Sequence, residues 1–417
     1  MNSAIDAKIT EAWNFIWDKL FLTNTNLFYD YITSHDNQER FKHLPSIEEI
    51  KLQAPNPCGW GTGMEDSMLN GGVAMDVICL RHEQTGDEAC RQLAEKVFKG
   101  MCLCAEAHGQ KGFVARSVSP RDKKSCYSNS SRDQFTLFVY GVWRFWRSPL
   151  SDKKSKEKAR DLLIATAEYC KKTIIPENDF NLLRLDGKKA MVSKMQDCDT
   201  HEIMRLPMFY AAAWDASGDE HWRDMYLKHA ESGIELNLQI DRKCGWWDIA
   251  LSQMQFSLRL LYEVETRDDL RGKYAEALNI GAELAELELE KKKTELNVFQ
   301  GNLCTINTPW RNQPFRIRDE ENTGLHESSL WHGYQYMLPK CTLEYYKASD
   351  FMRSFGNLAT SVFLSPKRKP NETTIKNFME FFQTPDYKLC TSAGAINLLE
   401  GVYLYLNKDD EKSVIIH

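Results

Sequence analysis

At 417 residues, with 42% hydrophobic and 27% charged positions, the chain has a globular composition and is long enough to bury a large core. A formal net charge of -6 gives no basic surface for nucleic acid, and the apolar runs are too short or too interrupted by charge to span a membrane. Tryptophan is abundant, at 11 residues, which suits either a large core or a cleft in which flat rings stack on sugars.

Helical periodicity dominates, and strand signals are almost missing. Residues 5–22 carry an i, i+3/i+4 stripe of Ile5, Ile9, Ala12, Trp13, Ile16, Trp17 and Leu20. The Pro/Gly-rich segment 53–63 reads as a loop ahead of a mostly apolar helix over roughly 66–82. An amphipathic helix at 86–108 and a loop at 109–129 follow. The stretch Cys126–Arg147 begins with small polar residues and then turns apolar on every side, from Phe135 to Trp146, which marks a buried helix. The next helix, 151–173, buries Ala159, Leu162, Leu163, Thr166 and Tyr169 and turns its lysines outward. Apolar and amphipathic segments continue to alternate: 200–216 with 219–237, then 248–265 with 267–293. After a loop at 295–325 come HESSLWHGYQYML, then 349–363 and 372–383, and the chain closes with the apolar AINLLEGVYLYL.

Apolar helices are thus expected to start near 66, 130, 200, 248, 326 and 391, each paired with a helix that has one solvated face. About 35 residues per helix and connection is the spacing of helix-pair repeats. Buried helices alternating with half-exposed ones imply an inner and an outer ring. The expectation is one all-α domain over 1–417, an (α/α)6 toroid, because an open solenoid would not need so many helices apolar all round. The segments GWGTGMEDSMLNGG (59–72) and SNSSRDQFTLFVYGVW (128–143) carry a family resemblance. With the toroid they resemble the Asp-bearing inner-helix starts of the six-hairpin glycosidase superfamily, in particular unsaturated glucuronyl hydrolases and their relatives. That resemblance implies a glycoside hydrolase acting on an oligosaccharide or a polysaccharide-derived glycan.

In such a toroid the inner-helix starts meet at one mouth. The residues placed there are Glu65 and Asp66, Arg132 and Asp133, Asp199, His201 and Glu202, Trp246, Trp247 and Asp248, His326, Glu327 and His332, and Thr391 and Ser392. Glycoside hydrolysis needs two carboxyl groups at a fixed separation across the scissile bond, and a ring of helix ends supplies it without local sequence spacing. Asp133 and Asp66 are the first-choice catalytic carboxylates, with Asp133 as proton donor; Glu202 and Glu327 follow. The competing reading of each acid alone is a helix cap, since acids favour a helix's first turn.

Substrate contacts are expected from Trp60, Trp246, Trp247 and Trp310 through their rings, and from Arg132, His201, Asp248, Arg316, His326 and His332 through polar groups. The arginines Arg116, Arg132, Arg205, Arg311, Arg316 and Arg318 would suit a uronic acid or another anionic sugar. Their competing role is to neutralise nearby acids. No metal and no cofactor is expected. HExxH and paired CxxC motifs are absent, His326 and His332 do not share a helical face, and GWGTG lacks the strand and Lys-Ser/Thr of a phosphate loop. Two other functions fit the same architecture. One is a sugar epimerase or isomerase using His201 and His326, although the arginine-glycine-histidine pattern associated with the epimerases of this fold is missing; the other is a non-catalytic glycan-binding toroid. The 12 cysteines fall mostly on helical apolar faces (Cys79, Cys90, Cys102, Cys104, Cys170), which reads as free thiols rather than a disulfide framework. With no signal-peptide pattern at the N-terminus, a cytoplasmic location is expected; a removed leader would shift it to the periplasm.

Overall fold

A computed structural model describes residues 3–243, 245, 247–304, 306, 310–312 and 343–414. Its regular structure is helical apart from one two-stranded antiparallel hairpin, Phe21–Leu22 with Leu27–Phe28. The helices are α1 (Ser3–Phe15), α2 (Ile47–Lys51), α3 (Ser67–Thr85), α4 (Ala89–Glu106), α5 (Arg132–Arg147) and α6 (Lys153–Thr173). They continue with α7 (Arg205–Ser217), α8 (Glu220–Asn237), α9 (Asp248–Val264), α10 (Asp268–Val298), α11 (Leu343–Phe363), α12 (Glu372–Gln383) and α13 (Gly394–Val414).

Six of them close a ring: α3 packs on α5, α5 on α7, α7 on α9, α9 on α11, α11 on α13, and α13 returns to α3. The others lie outside. Helix α4 backs α3 and α5, α6 bridges α5 and α7, α8 lies on α7, α10 on α9 and α11, α12 on α10 and α11, and α1 on α13. The protein is an all-α (α/α)6 toroid. The patterning explains which helix goes where. In α5 every residue from Gln134 to Trp143 is buried, so it can only stand inside. In α6 the buried set Ala159, Leu162, Leu163, Thr166, Tyr169 and Cys170 forms one stripe, so it covers an inner pair and faces water with the rest. One contiguous apolar core runs from Ile9 to Leu404. Among the described residues no helix is long and apolar enough to cross a membrane.

Between α9 and α13 the ring is filled by α11, which covers the 349–363 segment. The expected helix start near 326 lies outside the described residues. The level of α11 is also distinctive. Its Arg353 meets Asp66 just before α3, and its Asn357 meets Asp248 and Asn397 in the first turns of α9 and α13. The preceding ten residues therefore extend roughly 15 Å beyond the ring's mouth at 1.5 Å per residue. Helix α10 runs antiparallel to it, with Phe299 just past its end packed 5.1 Å from Phe351.

Closure of the ring requires backbones to touch where α3 crosses α5. A Cβ on Gly72 would run into the backbone carbonyl of Leu137, and one on Gly141 would lie 2.8 Å from the Gly72 Cα. Replacing Gly72 with alanine should lower stability by about 2–3 kcal/mol through overpacking, seen as a lower urea midpoint at unchanged slope. Gly272→Ala, where nothing lies within 4 Å of the new methyl group, should raise stability by up to about 1 kcal/mol by improving helix propensity.

Candidate active site

The first turn of α5 organises the mouth. Ser131, not Asp133, is the helix cap, its hydroxyl accepting the Gln134 N–H at 3.4 Å. That leaves three successive side chains to reach the neighbouring elements. Arg132 donates to the Glu202 carboxylate at 2.8 Å, Asp133 Oδ1 accepts from Arg205 at 2.7 Å, and Gln134 Nε2 donates to Asp66 Oδ1 at 2.8 Å. Two carboxylate clusters are joined through this turn.

The first cluster surrounds Asp66. Asp66 occupies the cap position of α3 but makes no side-chain cap bond. Its oxygens instead take Gln134, the Arg353 guanidinium at 2.9 Å and the Arg116 guanidinium at 3.6 Å. Beneath it, buried Asp30 accepts the backbone N–H of Glu65 at 2.9 Å and of Asp66 at 3.2 Å, and the side-chain amide of Asn70 at 3.0 Å. Burial, then the charges of Asp66 and Glu65, push the Asp30 carboxyl well above the usual carboxylate range. Glu65 turns the other way, accepting the Gly61 N–H at 2.5 Å and so fixing the preceding glycine loop.

The second cluster surrounds Arg205, whose guanidinium is 1% exposed and pairs with both Asp133 and Glu202. Glu202 also meets Arg132 and, at 3.1 Å, His201 Nε2. Burial opposes the charge on Glu202, but Arg205, His201 and Arg132 outweigh it and hold its carboxyl down at about 2. From α9, Gln253 accepts from Arg205 through Oε1, while its buried Nε2 has no hydrogen-bond partner among the described residues. A buried donor left so costs about 1–3 kcal/mol, which an acceptor from a ligand would relieve. A third contact, Asp248 with Asn357 at 2.8 Å and Asn357 with Asn397 at 2.9 Å, links α9, α11 and α13.

The mouth thus gathers Asp66, Arg132, Asp133, His201, Glu202 and Asp248. Asp133 and Asp66 keep side-chain exposures of 24% and 15%, whereas Glu202 keeps 4%. Glu202 is therefore enclosed in an ion-pair network; of the paired carboxylates in the two clusters, Asp66 and Asp133 keep more exposure, and Asp199, in the turn before Glu202, is exposed. Two tryptophans expected to face a substrate are instead enclosed. Trp60 is 4% exposed, in a small cluster with Cys58 and Met191 and 5.6 Å from the Arg116 guanidinium. Trp310 is 7% exposed and donates its indole N–H to the His43 carbonyl at 2.8 Å. Their loop positions suggest exposure, but the loops fold inward and bury both rings. Trp247, directly before α9, is 53% exposed. Trp246, Arg316, His326, Glu327 and His332 lie outside the described residues.

Asp30, Gln134, Gln253, Arg353 and Asn357 were not picked out by sequence. Each sits inside a pattern that reads as structural, and none bears a motif. The one available signal was polarity at an otherwise apolar position, as with Asp30 in Phe28–Ile32. Among the described residues no group of three or more His, Cys, Asp or Glu side chains could hold a metal ion.

No protein-family model and no curated protein matches the chain. Among solved structures it is similar to the GH76A α-1,6-mannanase from Salegentibacter sp. HEL1_6. The likeness has a TM-score of 0.37 and 12% sequence identity, over 67% of this chain and 87% of that one.

Glu202 offers a direct check of the network. Its folded value lies below the ordinary one of 4.5, so its stabilising contribution is present above that value and is lost as pH falls towards about 2. Urea midpoints of the natural protein should fall through that window. Glu202→Gln should be destabilised by about 3–5 kcal/mol at neutral pH, because Arg132 and Arg205 lose a buried counter-charge. Its stability should be flatter between pH 4.5 and 2.

Proposed function

We propose that the protein is a glycoside hydrolase acting on an oligosaccharide or polysaccharide-derived glycan, with Asp133 and Asp66 as its carboxyl pair. The observation that carries this reading is their placement. They stand at the starts of adjacent inner helices, are the accessible carboxylates of two clusters, and are tied by Gln134, the residue after Asp133. Neither side chain makes a helix-cap hydrogen bond.

In this reading Asp133 accepts from Arg205 through Oδ1 and delivers a proton from its other oxygen to the leaving glycosidic oxygen. Asp66, with donors on both carboxylate oxygens, stays an acceptor and either activates water or attacks the anomeric carbon. A separation of roughly 5–5.5 Å in the bound state would give retention, and roughly 6.5–9.5 Å inversion. Arg205 and Gln134 hold the two acids in place. The Gln253 N–H, unpaired among the described residues, and the exposed Trp247 ring supply a polar and an apolar contact for sugar. The described arginines of the mouth already bind the protein's own acids, so a uronic-acid carboxylate would have to draw Arg132 or Arg205 away from Glu202 or Asp133.

The test is a panel of neutral and uronate-bearing glycans, assayed for new reducing ends. Asp133→Asn and Asp66→Asn should each cut turnover by about 10²–10⁴-fold while the folded signal persists. A stable Asp133→Asn protein that turns over the same glycan at the natural rate would sink the assignment. Glycan binding without new reducing ends would instead indicate a binding toroid.

A further inference from the structure

The ring mouth is tied to a pair of thiols at its edge. Cys304, six residues past the end of α10, has its Sγ 3.7 Å from the Sγ of Cys390, 86 positions later in the chain. The two differ in access. Cys304 is partly exposed; its N–H is fixed by the Asn302 side chain at 2.9 Å and its thiol lies 3.3 Å from the Asp386 carbonyl. Cys390 is fully buried, its thiol against the Met352 sulfur at 3.8 Å. A reachable thiol in front of an enclosed one is the arrangement of an attacking and a resolving cysteine. The hydrogen bond from Cys390 holds the Cys304 thiol below its ordinary value. The same bond and then burial push Cys390 up.

Cys390 leads directly into the segment that supports Asp30. The Thr391 carbonyl accepts the Ile32 N–H at 2.9 Å, the Ala393 N–H donates to the Asp30 carbonyl at 2.9 Å, and Ser392 bridges Tyr31. Asp30 in turn holds the backbone of Glu65 and Asp66. A covalent link at Cys390 would therefore restrain the strand-like pair on which the Asp66 loop rests.

We propose that Cys304 and Cys390 are a reversible disulfide site, formed by exchange with a small disulfide such as oxidised glutathione, and that its closure clamps residues 390–393 onto residues 30–32. The Cys304 thiolate attacks one sulfur of oxidised glutathione, breaking its S–S bond and releasing one glutathione thiolate, which takes up a proton. Cys390 gives up its proton to solvent and attacks Cys304 Sγ, forming the internal disulfide and releasing the second glutathione. Two protein thiols are oxidised, and one glutathione disulfide is reduced to two thiols. The sulfurs need to approach by roughly 1.7 Å to reach bonding distance, within the reach of a loop side chain.

The test uses the reduced full chain in its folded state, treated with oxidised glutathione, acid-quenched, alkylated and mapped by mass spectrometry, with amide hydrogen exchange on a parallel sample. The expected result is a fall from 12 free thiols to two fewer, recovery of a Cys304–Cys390 linked peptide, and reversal by reduced glutathione. Exchange at Ile32 and Ala393 should slow several-fold in the oxidised form. Cys304→Ser should keep all its remaining thiols under the same treatment, and its exchange should not respond to the oxidant. A glutathione left on Cys304, a different linked pair, or no thiol lost would each overturn the disulfide site. A linked peptide with unchanged exchange at Ile32 and Ala393 would overturn the clamp. None of these readouts depends on the glycosidase reading.

Discussion

A buried guanidinium sets the terms for the mouth of this ring. Arg205 opens α7 almost without exposure, and a cation taken out of water there is tolerated only if opposite charge and hydrogen-bond acceptors surround it. They come from three directions: Asp133 from α5, Glu202 from the turn before α7, and Gln253 from α9. Satisfying one side chain therefore fixes the relative positions of three inner helices. Glu202 then requires Arg132 as a second counter-ion, because one arginine is already shared with Asp133. The network therefore holds only when α5, α7 and α9 keep this relative placement, so that side of the mouth and the packing of those helices depend on the same contacts.

The other side of the mouth solves a different problem. Asp30, Glu65 and Asp66 crowd acidic groups together, and this is relieved in two ways. Asp30 takes backbone and amide donors, while Asp66 takes Arg116 and Arg353. Deeper in the ring the pattern repeats with Asp76, which binds Arg144 and the Tyr140 hydroxyl, while Glu400 is pushed up by burial and then by the Asp76 charge. Arg144 also reaches Glu83 at 3.0 Å. The interior of the toroid is thus layered with paired charges and is not apolar throughout. Such layers add little net stability compared with hydrophobic packing, but they penalise any helix rotation that would break a pair.

Much of the fold was legible because burial leaves a direct mark on composition. An inner helix must be apolar on all faces and an outer helix on one, so α5 and α6 could be told apart from residue pattern alone. The starts at Ser67, Arg132, Arg205 and Asp248 fell close to the expected places, since turns and small polar residues punctuate the chain there. The place of the 349–363 segment was not legible, because only its contacts with α9, α10 and α13 put it in the inner ring. The same limit applied to Trp60 and Trp310: a loop position suggested exposure, but neighbours distant in sequence cover both rings.

The sequence by itself determined the helical class, the alternation of inner and outer layers, and a short roster of acids at inner-helix starts. Those features follow from periodicity and from local turn chemistry, which act over a few residues. Tertiary structure alone decided what each acid does. Asp66 and Asp133 remain reachable while Glu202 is enclosed, because that outcome depends on Arg353, Arg205 and Arg132 arriving from helices 70 to 287 positions away. It also decided that Asp30, unremarkable in its apolar strand-like segment, supports the Asp66 loop. Charge pairing across a closed ring is set by three-dimensional neighbours, and no spacing along the chain encodes it.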